Sequence, residues 1–146
     1  MFSEKTVYLR AQEGSLIVEV LRFWEEDGVS VPEPYKRHIK VMLAPDRRNA
    51  AEITFSQVLI YPESKTDYHT HDRPELIVVV SGRGKSVCDG KEIRVQPDMA
   101  LWIKPGEKHQ LINDGDDMLK LYTLFTPAYS ARDLLSGIMK AAGNLL

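Results

Sequence analysis

The sequence predicts an all-β fold of short antiparallel strands, with one helix at the C-terminus. Three observations carry that prediction. Runs rich in Val, Ile, Leu and aromatic residues recur along most of the chain. Turn signals such as Asp27-Gly28, Asp89-Gly90, Pro97-Asp98 and Pro105-Gly106 separate them at regular intervals. Only the segment after Ser130 changes to helical spacing. Short strands so spaced close into an antiparallel barrel or a sandwich.

The elements follow in order. Residues 1–15 are weakly patterned and read as an arm or a short helix ending near Gly14. Residues 16–24 predict a strand apolar on both faces and therefore covered on both sides. Residues 25–34, with Asp27-Gly28, Pro32 and Pro34, read as a loop. The next strand, 36–43, puts Ile39, Val41 and Leu43 on one face and His38 on the other, which gives His38 a surface or edge role. Residues 51–61 form a long strand. Gln57 and Tyr61 share its parity with Phe55 and Leu59, so they face the interior or the outside together.

In the apolar run 76–80, Ile77 and Val79 share the parity of Glu75 and point inward, leaving Leu76, Val78 and Val80 outward. Residues 85–88 and 91–95 form a hairpin about Asp89-Gly90, and strands follow at 100–103, 109–112 and 118–126. Residues 113–117 look acidic enough for a calcium loop but lack its twelve-residue spacing and terminal Glu, so they read as a solvated hairpin tip. Ser130 is placed to cap a helix with Leu134, Leu135, Ile138, Met139 and Ala142 on one face. Its scarcity of basic residues favours packing on its own barrel or a partner subunit over a membrane surface.

Composition narrows the function classes. The 146 residues fit one domain, divided as 1–50 (arm and added strands), 51–127 (barrel core) and 128–146 (helix). A net charge of −2 offers no basic field for nucleic acid. No apolar run approaches the length of a membrane span and the N-terminus lacks a leader pattern, so the expected location is cytoplasmic. Cys88 is the one cysteine, which rules out an intrachain disulfide and reads as a small buried hydrophobe.

The chemistry gathers in Tyr68–Gly82. His69 and His71 are two apart, so on an extended strand both imidazoles project from one face. Glu75 follows a bend marked by Asp72 and Pro74 and can return a carboxylate to the same point. His109 opens a later strand after a Pro-Gly turn and supplies a fourth donor. Three of the four histidines in the chain thus fall where ligands are wanted.

The pattern His-x-His-x3-Glu-x6-Gly, followed by Gly-x2-His-x3-Asn, resembles the two motifs of the cupin superfamily, through His69, His71, Glu75 and Gly82, then Gly106, His109 and Asn113. The resemblance implies a jelly-roll β-barrel with a metal held by His69, His71, Glu75 and His109. Three turn positions depart from it: Glu63 and Asp98 stand where the family has leading glycines, and Lys104 stands where it has Pro, with Pro105 adjacent. These concern loop shape rather than the ligands.

Three imidazoles and a carboxylate suit one divalent first-row ion, Fe, Mn, Zn, Ni or Co, and leave two positions open in six-coordination. The resulting expectation is a metal-dependent enzyme of oxygenase, isomerase or lyase type, acting on a small polar substrate that chelates through oxygens, with Glu75 as the catalytic base. The alternative is a metal-containing binding or sensing module without turnover. Trp102 and Tyr122 are candidate cavity walls or plain core, and Asn113 is expected to tie down a turn. The outward residues Leu76, Val78 and Val80, the apolar 16–24 stretch and the helix stripe together predict a homodimer.

Overall fold

A computed structural model describes residues 8–10 and 16–143. Its strands in chain order are β1 (Tyr8–Arg10), β2 (Leu16–Glu19), β3 (Val29–Val31), β4 (Arg37–Leu43), β5 (Thr54–Ile60), β6 (Glu75–Ser81), β7 (Gly84–Cys88), β8 (Lys91–Val95), β9 (Ala100–Ile103), β10 (His109–Ile112) and β11 (Leu119–Phe125), with a 3₁₀ turn at Phe23–Glu25 and a helix α1 (Ala131–Ala141). Six strands make one sheet in the order β3-β4-β5-β11-β6-β9, and β10-β7-β8 make a second. All pairings are antiparallel. This is the jelly-roll arrangement, two sheets enclosing a core without a hydrogen-bonded seam that closes the barrel completely.

Strand β11 shows why the chain folds this way. Leu119, Leu121, Thr123 and Phe125 alternate inward, and both edges of the strand are paired, to β5 and β6. Ile39 and Val41 on β4, Val58 and Ile60 on β5, and Ile77 and Val79 on β6 share that inner face and pack with Leu111 and Val95 of the second sheet. Each such side chain contributes about 1.5–3 kcal/mol on leaving water, so inward parity is strongly specified. Ile77 and Val79 are buried while Leu76, Val78 and Val80 are half-buried on the other face, as their parity required.

The helix uses its stripe within the same chain. Leu134, Leu135, Ile138, Met139 and Ala142 pack against the core cluster. Its start is fully capped: Ser130 Oγ accepts from Asp133 N at 3.0 Å, and Asp46 accepts from Ala131 N at 2.6 Å and Arg132 N at 3.1 Å. Thr54 Oγ1 donates to Tyr129 O and accepts from Tyr129 N, fastening the segment before the helix to the start of β5.

Several sequence expectations need correction. Residues 8–10 are a strand paired with β2 rather than part of a helix; the rest of the 1–15 arm lies outside the described residues. The strand expected over 16–24 ends at Glu19, because Phe23 turns into a cluster with Phe55 and Tyr122 while Trp24 stays 79 % exposed. The loop expected over 25–34 contains β3, which pairs with β4. A register shift after Val41 buries Met42 and Ala44 and leaves Leu43 only half-buried.

Candidate metal centre

His69 leads into the site because its backbone pairs with His109: each N–H donates to the other residue's carbonyl, at 3.0 and 2.8 Å. The first motif is thereby laid against β10. Glu75 opens β6 and is paired to Phe125 of β11 and Ile103 of β9, so its buried carboxylate is fixed by the sheet rather than carried on the bend the sequence suggested. The four side chains offer donor atoms that all lie within 4.8 Å of one another.

The turns that deviate from the family pattern still adopt its shape. Glu63 and Asp98 occupy left-handed backbone at φ +60° and +72°, the conformation for which a glycine is usually chosen. Gly82 is less replaceable: at φ +83° an added Cβ would stand 2.4 Å from the Met118 carbonyl oxygen.

Hydrogen bonds fix which nitrogens face inward. His69 Nδ1 donates to Asp67 O at 2.7 Å and His109 Nδ1 to Glu107 O at 2.8 Å, leaving both Nε2 atoms as lone-pair donors toward the centre. There His69 Nε2 lies 2.9 Å from His71 Nε2, His109 Nε2 lies 3.1 Å from Glu75 Oε1, and His71 Nε2 lies 3.7 Å from the same oxygen. Ligands at about 2.1 Å from one ion stand about 3.0 Å apart at right angles and about 4.2 Å apart across it, a range close to these three separations. Burial, and then the neighbouring imidazoles His69 and His109, hold His71 down to about 3, which keeps it neutral and available as a ligand. His109 goes the other way: burial lowers it, but the bonds to Glu75 and to the Glu107 carbonyl outweigh that and raise it.

The donors open onto a cavity of about 340 Å³. Ile39, Val58, Ile77, Leu111, Leu121 and Phe125 supply apolar wall. Arg37, Ser56, Asp67 and Thr123 are among the polar interruptions, together with Thr66, Thr70 and Asp133, and Tyr129, Leu134 and Ile138 bring the helix end of the chain to its rim. Sequence reasoning missed Arg37, although the signal was present: it shares the inward parity of Ile39 and Val41 on β4.

Other candidates fall elsewhere. Gln57 is buried on the opposite face of β5, since Ser56 and Val58 take the inner positions across from Thr123 and Leu121; neither Gln57 nor Tyr61 lines the cavity. Trp102 is 55 % exposed on β9 and Tyr122 stacks outside with Phe23 and Phe55, so neither is a cavity wall. His38 sits at the edge, bonded to Ser30 Oγ and the Asp27 carbonyl. Cys88 is half-buried and donates to Glu107 Oε2 at 3.4 Å, so it is a weak hydrogen-bond donor rather than a buried hydrophobe. Asn113 ties down its turn: Nδ2 donates to the carbonyls of Ile60 and Asp117, and Oδ1 accepts from Gly115 N.

Comparison with known proteins agrees with this geometry. Residues 56–125 match the family model of the cupin domain. An uncharacterized protein of Methanocaldococcus jannaschii is 26 % identical over 96 residues, 65 % of this chain and 77 % of that one. An (R)-mandelonitrile lyase of Granulicella tundricola is 31 % identical over 67 residues, 45 % of this chain and 49 % of the lyase, so the chain spans about half that relative. Among solved structures, a predicted oxalate decarboxylase from Thermotoga maritima superposes with a TM-score of 0.68 at 18 % identity, covering 73 % of this chain and 97 % of that one, a likeness of fold. The matched region runs from β5 to β11 and encloses His69, His71, Glu75 and His109, so this part of the chain is a cupin domain.

Proposed function

We propose that this protein is a metal-dependent enzyme that binds one divalent first-row ion at His69, His71, Glu75 and His109 and acts on a small substrate chelating through oxygen atoms. The observation that carries the reading is the set of three imidazoles and one carboxylate, with donor atoms within 4.8 Å, facing a cavity large enough for a small molecule. A bound Fe, Mn, Zn, Ni or Co ion supplies Lewis acidity or redox chemistry there.

The chain's own residues supply the remainder. The apolar walls exclude bulk water and strengthen polar interactions at the mouth of the centre. Glu75 Oε1, shared between His71 and His109, is the group placed to accept a proton from a bound substrate. The relatives' names, a lyase and a decarboxylase, both describe reactions in which a carbon–carbon bond is cleaved, and they lean the reading toward turnover. The family leaves the choice among oxygenase, isomerase and lyase chemistry to the cavity.

The test is elemental analysis of the purified protein, then reconstitution with each of the five ions and a screen of hydroxy acids, enols and sugar derivatives for oxygen uptake or product. One ion per chain, lost in His71→Ala and His109→Ala, and turnover abolished by Glu75→Gln at normal metal content are expected. No metal uptake refutes the centre. Uptake without turnover across the screen gives the site to the binding-module reading, and full activity in Glu75→Gln reduces Glu75 to a ligand.

A further inference from the structure

Arg37 is buried where its neighbours give it little. It is 3 % exposed and lines the cavity from the inner face of β4. Taking a guanidinium out of water is costly unless its charge and its N–H groups are met, and burial lowers its pKa against the opposing pull of Asp67. Nη1 donates to the Tyr35 carbonyl at 3.1 Å. Nη2 reaches Asp67 Oδ1 only at 3.5 Å, well beyond the about 2.7–2.9 Å of a good charge-assisted bond. Among the described residues neither terminal nitrogen has a second acceptor.

Its position relative to the metal centre gives this meaning. The second oxygen of Asp67 lies 3.4 Å from His69 Nδ1, so a single carboxylate separates the guanidinium from a metal-side imidazole. Arg37 also lines the same cavity as the four donors, so a molecule seated at the centre and extending into that cavity can meet it. An independent feature marks the same cavity as built for a polar ligand: Ser56 is 1 % exposed and lines the cavity beside Thr123, and its Oγ has no hydrogen-bond partner among the described residues. An orphaned hydroxyl of this kind is costly unless something enters to meet it.

Resting on the metal-centre reading above, we propose that Arg37 is a specificity-determining residue that receives a carboxylate at the far end of the substrate. The substrate class is then a short diacid whose other end chelates through oxygen. A carboxylate suits the planar fork of the guanidinium, and its single negative charge suits a cavity that already holds Asp67 and Asp133 better than a dianionic phosphate would.

Matched acids test this without knowledge of the natural substrate. Cobalt-loaded protein is titrated calorimetrically with 2-hydroxyglutarate and 2-hydroxypentanoate, which share a chelating head and differ in the distal carboxylate; malate and 2-hydroxybutyrate repeat the comparison at shorter length. In the unaltered protein the diacid of at least one pair is expected to bind about tenfold tighter or more. Arg37→Met should bring that ratio near one with cobalt content retained, and Arg37→Lys, which keeps charge but loses the fork, should fall between. Equal affinity within both pairs in the unaltered protein overturns the proposal with no variant needed. An undiminished ratio in a folded, cobalt-loaded Arg37→Met also overturns it. Failure of the unaltered protein to take up cobalt or any of the other four ions sinks the metal centre itself, a separate result read from elemental analysis, and this inference falls with it; where another of the five is the one taken up, the same titrations are run with that ion.

Discussion

Replacing Asn113 by Ala isolates a structural role inside a motif otherwise occupied by ligands. Asn113 is wholly buried and holds three hydrogen bonds, to Ile60 O at 2.9 Å, to Asp117 O at 2.8 Å and from Gly115 N at 3.0 Å. Alanine removes all three and leaves buried groups without their partner. At a net contribution of about 1 kcal/mol each, the loss is about 3 kcal/mol, a large share of the about 5–15 kcal/mol that holds a domain of this kind together. Thermal unfolding should fall by about 6–12 °C for a chain of this length. Urea denaturation is the assay, with the midpoint moving at constant slope. Asn113→Asp should be worse than Ala, because it turns a carboxylate toward the two carbonyls that the amide satisfied. Metal content should be unchanged, since His109 is held by pairing to β7 and by its two backbone bonds to His69. A loss below about 1 kcal/mol, or a loss of metal from folded protein, would refute this division of roles.

Two further outcomes follow from the surface. Asp46→Ala should cost about 1 kcal/mol by uncapping α1, and guanidinium melts of the two proteins compared across pH would show it. Burial tends to raise the Asp46 carboxyl, but the N–H donors of Ala131 and Arg132 outweigh this and lower it. Its stabilisation is therefore complete above the unfolded carboxylate range, near pH 4, and fades as pH falls through the lowered folded value; a gap between the proteins that widens in acid would contradict this. The outer face where exposed Trp102 pairs with Leu76 is expected to be covered by a second copy of the chain. Sedimentation at the single-chain mass of 16.6 kDa at micromolar concentration would exclude the dimer.

The sequence by itself determined what depends on local periodicity and spacing. The hairpin at 85–95, the strands at 100–103 and 109–112, the inward parity of Ile77 and Val79, and the Ser130 cap all lie where turn residues and alternation put them. The ligand set was legible from spacing and resemblance together: the two-residue spacing paired His69 with His71, and the cupin-like motifs added Glu75 and His109. Only the tertiary structure decided which face of β5 looks inward, because Phe55, Gln57 and Leu59 are as plausible a lining as Ser56 and Val58 until β11 pairs alongside and the sheet curves. It also decided the end of β2, which yields to an aromatic cluster formed with residues far along the chain, and it brought Arg37 through Asp67 to His69. Contacts of that range depend on how strands register across a sheet, and a one-residue slip would reverse them. Local propensity carries no information about that choice; the burial of whole faces makes it.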